Sequence, residues 1–249
     1  MKANVMAAPR IEVLPDLDAL SLAAANQFAS LAQQTHTTHQ PFTVALNGGG
    51  TPERLFTLLG QPPFQAQVDW SRVHIFWGDE RCVPPDTPGS NYQQAWSAWL
   101  QHVPIPAENI HRVQGELEPV AAAADYAQQL ASFAHPFPHF DLVLLGMGED
   151  GHTASLFPGP ISMAEQTQTV IPVVATYEDR PAQRISLTPL VFNQAQHVWV
   201  MATGAKKART VAAAIHGPRQ PEQLPIQRIR PTSGEIVWWL DVAAAADLQ

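Results

Sequence analysis

The chain has 249 residues, 45% hydrophobic and 14% charged, with a formal net charge of −8. That is enough chain for one large α/β domain or two small ones, with ample apolar material for a core. The acidic balance, without any basic run, argues against binding along a nucleic-acid backbone, and no stretch reaches the roughly 18 apolar residues of a membrane span. The single cysteine, Cys82, excludes an intrachain disulfide and agrees with a reducing compartment. The opening MKANVMAAPR lacks the apolar stretch of a secretory signal, so the expectation is a cytoplasmic protein. An anionic substrate stays open, because a few arginines make a local positive pocket.

Arg10 to Leu14 is expected as an edge strand. A helix from Asp16 to Gln34 comes next, with Leu17, Leu20, Ala24, Phe28 and Leu31 on one face and Asp16 as its N-cap. His36 and His39 then lie in a polar loop with no metal-ligand spacing around them. Phe42 to Leu46 is the first core strand. It runs into Asn47-Gly48-Gly49-Gly50-Thr51-Pro52 and a helix to Leu59, where Thr51 suits the N-cap and Pro52 the first helical position. A strand, a glycine cluster and a helix N-terminus together make an anion cradle. The run is neither a Walker loop nor a G-x-G-x-x-G fingerprint, and close helix–sheet packing alone would also explain its glycines.

Val73 to Trp77 is the second core strand, ending in Gly78-Asp79-Glu80-Arg81. Arg81 is suited to fork onto a phosphate or carboxylate, with Asp79 and Glu80 orienting it; a surface ion pair is the plain alternative. No histidine is placed to activate Cys82. Ser90-Asn91-Tyr92 opens a helix to about Leu100, with Trp96 and Trp99 facing the core. Pro119 to Phe133 is another amphipathic helix.

The most informative stretch is Asp141 to Pro158, DLVLLGMGEDGHTASLFP. Leu142 to Leu145 is an apolar run that fits a strand buried on both faces. Gly146, Gly148 and Gly151 come after it, and Glu149, Asp150 and His152 sit within that turn. Thr153 to Phe157 is expected as a short helix stopped by Pro158-Gly159. Ligands of open α/β sheets bind beyond the carboxyl ends of strands. Taken alone, the stretch also reads as a tight connection with solvated acids and a hydrogen-bonded histidine.

Val170 to Val174 carries Pro172 and is expected at an edge or irregular. Ile185 to Leu187 and Val198 to Met201 are further strands. Thr203-Gly204-Ala205-Lys206-Lys207 opens a helix to about Ile215. Residues 218–231 form a proline- and arginine-rich connection, Ile236 to Leu240 is the last strand, and Asp241 caps an alanine-rich terminal helix. Strands alternate with helices and no linker divides the chain. The prediction is a single α/β domain over residues 1–249, with a largely parallel central sheet and helices on both faces.

In order, the blocks LNGGGTP, WGDERCVPPDTPGSNY, LLGMGEDGHTASLFPG, RISLTP, VMATGAKKA and WWLD resemble the 6-phosphogluconolactonases, within the wider glucosamine-6-phosphate deaminase and ribose-5-phosphate isomerase fold group. The resemblance spans nearly the whole chain, and DGHTASLFP is its most specific block. It implies cofactor-free hydrolysis of 6-phosphoglucono-δ-lactone to 6-phosphogluconate, in a monomer or small homo-oligomer. It also implies a base at His152, oriented by Asp150. Substrate and phosphate contacts are implied at Arg81 and at Gly48, Gly49, Gly50 and Thr51, while Lys206, from the G-x-x-K-A block, is open to a substrate contact or to capping its own helix. Gly50 stands where the family usually has serine, so one side-chain donor is lost. Glu149 stands where proline is frequent. Arg180 is expected to replace a family lysine as a phosphate cation, while Arg184, in the R-I-S-L-T block, is open to a structural or a binding role.

Two rivals remain at this level. One is an isomerase or deaminase of the same fold group, against which Ser155-Leu156-Phe157-Pro158 replaces the acid-bearing stretch of those enzymes. The other is a non-catalytic sugar-phosphate sensor, against which both His152 and Asp150 are present and no helix-turn-helix extension is expected as an output module.

Overall fold

The computed structural model describes residues 8–36, 40–175 and 181–248. Its strands are β1 (Arg10–Leu14), β2 (Phe42–Leu46), β3 (Val73–Trp77), β4 (Asp79–Arg81), β5 (Ile110–His111), β6 (Leu142–Gly146), β7 (Val170–Val174), β8 (Gln183–Leu187), β9 (His197–Ala202) and β10 (Glu235–Asp241). Its helices are α1 (Leu17–His36), α2 (Gly50–Leu59), α3 (Phe64–Gln67), α4 (Asn91–Ala98), α5 (Pro119–Phe133), α6 (Met163–Thr167), α7 (Pro189–Phe192) and α8 (Ala208–His216).

Seven strands pair in parallel in the order β1-β10-β9-β6-β2-β3-β5. All five residues of β2 are buried, as are Leu142 to Leu145 of β6. Successive side chains of a strand point to opposite faces, so the middle of the sheet is covered on both sides. The apolar runs without alternation in these strands have this cause. Helices α1 and α2 pack on each other and reach the sheet at β6, β9 and β10. Between them lies an aromatic cluster in which the Trp99 ring is 5.6 Å from Phe28, 5.7 Å from Phe56 and 5.5 Å from Trp70. Asp16 caps α1 as expected, its Oδ1 accepting from the Ala19 amide at 2.8 Å.

The central sheet is thus the predicted one, but β7 and β8 do not belong to it. They form a separate antiparallel sheet in the order β4-β8-β7, with Arg81 opposite Arg184. Pro172 is on the outer strand β7 of that small sheet, where a residue without an amide hydrogen does least harm. The short strand β4, a charged loop by its sequence, exists because β8 supplies its partner.

Two predicted helices do not form. Residues 153–156 make a tight turn, closed by Leu156 N donating to the Thr153 carbonyl at 2.9 Å, with Ala154 at φ 49°. The side chains compete with helix here: the Thr153 hydroxyl donates to the Gly146 carbonyl at 2.7 Å, and the Ser155 hydroxyl to Asp79 at 2.7 Å. After β10 the chain makes turns rather than a helix. The Asp241 carboxylate accepts from the Ala244 amide at 2.7 Å but also from the Gly204 amide at 3.0 Å. His36 ends α1, whereas His39 and Arg180 lie outside the described residues.

Candidate active site

Four adjacent strands, β9, β6, β2 and β3, end at one cleft of about 510 Å³. The turn after β2 supplies Gly48 to Pro52. Asp79 and Arg81 enter after β3, Gly146 to Asp150 and His152 after β6, and Met201 and Lys207 from the end of β9 and beyond it. Arg184 reaches the cleft from β8. The sequence-predicted residues Gly48, Gly49, Gly50, Thr51, Arg81, Asp150 and His152 are therefore brought together although they lie up to about a hundred positions apart.

The turn after β2 is built to present amides. Gly49, at φ 121°, precedes α2, which begins at Gly50. The first intrahelical bond runs from Glu53 N to the Gly49 carbonyl at 3.3 Å, so the amides of Gly50 and Thr51 precede the helix's own ladder. The Gly49 amide is engaged by Gln94 Oε1 at 2.9 Å, and the Gln94 side-chain amide in turn donates to the Gly49 carbonyl at 3.2 Å and to Glu53 at 3.1 Å. Thr51 is within the first turn rather than at the cap, and its hydroxyl pairs with that of Thr203 at 3.0 Å.

The turn after β6 is built to present an imidazole. The Gly148 amide donates to the His152 carbonyl at 2.9 Å, folding the ring back over the turn. A Cβ on Gly148 would lie 2.1 Å from His152 Nδ1, so no other residue permits this approach. His152 Nδ1 lies 2.5 Å from Asp150 Oδ1, which also accepts from the His152 amide at 3.1 Å. Burial pushes the Asp150 carboxyl up, but the bond and charge of His152 outweigh it and hold the group below the usual carboxylate range. An ionised carboxylate only accepts. Nδ1 must therefore carry a hydrogen, which leaves Nε2 as the basic atom of the neutral ring.

Arg81 sits in the cleft without the orienting acids expected for it. Its guanidinium donates to the Gly89 carbonyl. Glu80 is buried and accepts from the amides of Arg81, Asn91 and Tyr92, each at 2.7 Å, and from the Ser90 hydroxyl at 3.1 Å. It anchors the start of α4; burial raises its pKa against the pull of those amides. Asp79 accepts from Asn91 at 3.0 Å and from Ser155 at 2.7 Å, tying this block to the histidine turn. Cys82 is half-buried, and burial together with Glu80 and Glu118 pushes its thiol up to about 11, the opposite of an activated nucleophile.

Lys206 does not reach the cleft. It is exposed, and the neighbouring Lys207 lines the cavity instead. Counted from Gly204, the G-x-x-K-A spacing lands on Lys207, so the sequence carries this signal one residue beyond the lysine expected from it. Burial lowers the Lys207 pKa, while Glu149 and Asp241 act to raise it. Arg184, left open by the sequence, is buried at the cleft wall, with its guanidinium 5.7 Å from the Phe157 ring.

Residues 15–238 match the family described as glucosamine-6-phosphate isomerases/6-phosphogluconolactonase. A 6-phosphogluconolactonase of Nostoc is 38% identical over 96% of this chain and 98% of its own length. One from Haemophilus influenzae is 36% identical over 88% and 91%. The solved 6-phosphogluconolactonase of Trypanosoma brucei superposes with a TM-score of 0.83 at 29% identity, covering 97% of this chain and 99% of that one. The chain belongs to the family of glucosamine-6-phosphate isomerases and 6-phosphogluconolactonases.

Proposed function

We propose that the cleft hydrolyses 6-phosphoglucono-δ-lactone to 6-phosphogluconate, a step of the oxidative pentose phosphate pathway, using water activated by His152. The observation that carries this reading is the 2.5 Å contact between His152 Nδ1 and Asp150 inside a cleft that also holds three cations. A lactone carbonyl is already electrophilic, so the reaction needs a positioned base more than a covalent intermediate. Nε2 takes a proton as water attacks C1. The C1–ring oxygen bond then breaks, and the proton passes from Nε2 to that oxygen. General-base assistance of this kind is worth roughly 10²–10⁴-fold. Asp150 stabilises the transient imidazolium, and the reaction balances with water alone.

Arg81, Arg184 and Lys207 are the candidate phosphate cations, with the Gly50 and Thr51 amides at the positive end of α2 completing the cradle. The phosphate is remote from the reacting carbon, so its binding energy serves to orient the ring. Among the described residues no helix is long and apolar enough to cross a membrane; with its single half-buried thiol, the protein is proposed to act in the cytoplasm.

The test adds purified protein to freshly made lactone at neutral pH and monitors acid release, subtracting spontaneous hydrolysis. Enzyme-dependent release, with unphosphorylated gluconolactone turned over far less efficiently, is expected. No release above the spontaneous rate, or ammonia from glucosamine 6-phosphate instead, would overturn the reading.

A further inference from the structure

The proline- and arginine-rich connection after α8 has no part in the chemistry proposed for the cleft, yet it is bonded repeatedly to the histidine turn. Ile226 N donates to the Gly151 carbonyl at 2.9 Å, and Gly159 N to the Glu222 carbonyl at 2.7 Å. The connection carries Arg228, whose side chain is 3% exposed. Nη1 spans both oxygens of buried Glu165 at 3.0 and 2.8 Å, and Nε donates to the Pro221 carbonyl at 2.8 Å. Nη2 donates to the carbonyls of Phe157 at 3.1 Å and Gly159 at 3.0 Å. Phe157 places its ring 5.2 Å from that of His152 and beneath the Arg184 guanidinium.

A buried ion pair is weak evidence for stability, because desolvation opposes the Coulombic gain. The guanidinium of this one also donates to three carbonyls, those of Pro221, Phe157 and Gly159, the last two flanking the loop that carries the Phe157 ring. We infer that Arg228, held by Glu165, is a positioning residue for the reaction: it fixes the Phe157–Gly159 backbone, and through the Phe157 ring the azimuth of the His152 imidazole. The inference rests on His152 acting as the base.

Arg228→Lys keeps the charge but loses the fork that serves four acceptors at once. Arg228→Lys should lower kcat about tenfold or more with KM within about twofold of the parent, since a small misplacement of a base acts on the chemical step. Phe157→Ala should do the same, and the two changes combined should cost no more than the larger alone, because they act through one ring. On a His152→Asn background, Arg228→Lys should change kcat no further. Glu165→Gln, which keeps a hydrogen-bonding side chain of the same length, should fall between the parent and Arg228→Lys. Arg228→Lys that melts earlier but retains the parent kcat, or that adds fully to Phe157→Ala, would overturn the inference. If His152→Asn itself retains kcat, the base assignment fails instead, and with it the premise rather than the contacts of Arg228.

Discussion

Two glycine-rich turns leave neighbouring strands of the same sheet, β2 and β6, side by side at the cleft. They do opposite things. The first continues at once into α2, so its amides and the helix dipole make a positive end. The second cannot become a helix, because Thr153 and Ser155 bond back to Gly146 and across to Asp79. It folds His152 and Asp150 onto each other instead. Glycines after a strand therefore do not specify a function. The residues immediately downstream of them decide whether the turn presents backbone amides or an imidazole held by a carboxylate.

The largest expected effect is on the second turn. His152→Asn keeps a polar side chain but removes the basic Nε2, and should lower kcat by roughly 10²-fold or more with little change in product affinity. Survival of kcat with only a lower Tm would make His152 a scaffold residue. Arg81, which lines the same cleft, comes next. Arg81→Ala should cost about 1.5–3 kcal/mol in kcat/KM, with Arg81→Lys recovering only part. An unchanged kcat/KM in folded Arg81→Ala would separate Arg81 from the substrate.

The first turn itself is probed by Gly48→Ala. A Cβ there would sit 1.9 Å from Asn91 Oδ1, so the Asn91 side chain, bonded to Asp79 at 2.8 and 3.0 Å, must move. Overpacking of this kind costs roughly 1–3 kcal/mol of stability, read as a lower Tm, and here it should raise KM more than it lowers kcat. Gly50→Ser is the gentle counterpart, since no atom lies within 4 Å of a Cβ at that position. It should leave Tm nearly unchanged and, by adding a donor to the cradle, lower KM modestly. A KM unchanged or raised would count against phosphate binding at that loop.

A pH profile sharpens the same contrast, provided folding is measured alongside. On the proposed mechanism the rate should fall toward acid pH, while His152 holds the Asp150 carboxyl below the usual carboxylate range. A separate acid sensitivity comes from β5. Burial and the neighbouring His74 push His111 down to about 4, with His74 Nδ1 3.0 Å from His111 Nε2. A depressed histidine pKa means the unfolded chain takes up the proton first. Its contribution to stability is complete above about 6.5 and is lost as pH falls toward 4. His111→Gln should flatten the dependence of Tm on pH across that window while leaving the acid limb of kcat in place. If the two limbs move together, activity is reporting unfolding rather than the base.

Much of this is legible along the chain. The core strands β2, β3, β6 and β9, the cap at Asp16 and the glycine turns are written in short-range patterns: apolar runs, capping residues and turn glycines within a few positions of one another. The family blocks place His152, Asp150 and Arg81 in one site, and the folded chain brings them to one cleft. Local pattern fails where the deciding partner is distant. Residues 153–157 have ordinary helical composition, yet Asp79 claims Ser155 from seventy-six positions away. Asp79-Glu80-Arg81 reads as a charged loop until β8 pairs with it. Glu80 matches the neighbouring guanidinium in sequence and is instead taken by the amides of α4.

The choice between Lys206 and Lys207 shows the division most plainly. Two adjacent lysines carry the same charge, but a single 3₁₀ turn over Ala205–Lys207 sends one to solvent and the other to the cleft. The chemistry of the residues and the order of the elements belong to the sequence, because periodicity and turn preference are local free energies. Which side chain reaches the substrate belongs to the packed structure, because it depends on rotations and partners that arise only when strands far apart in the chain lie side by side.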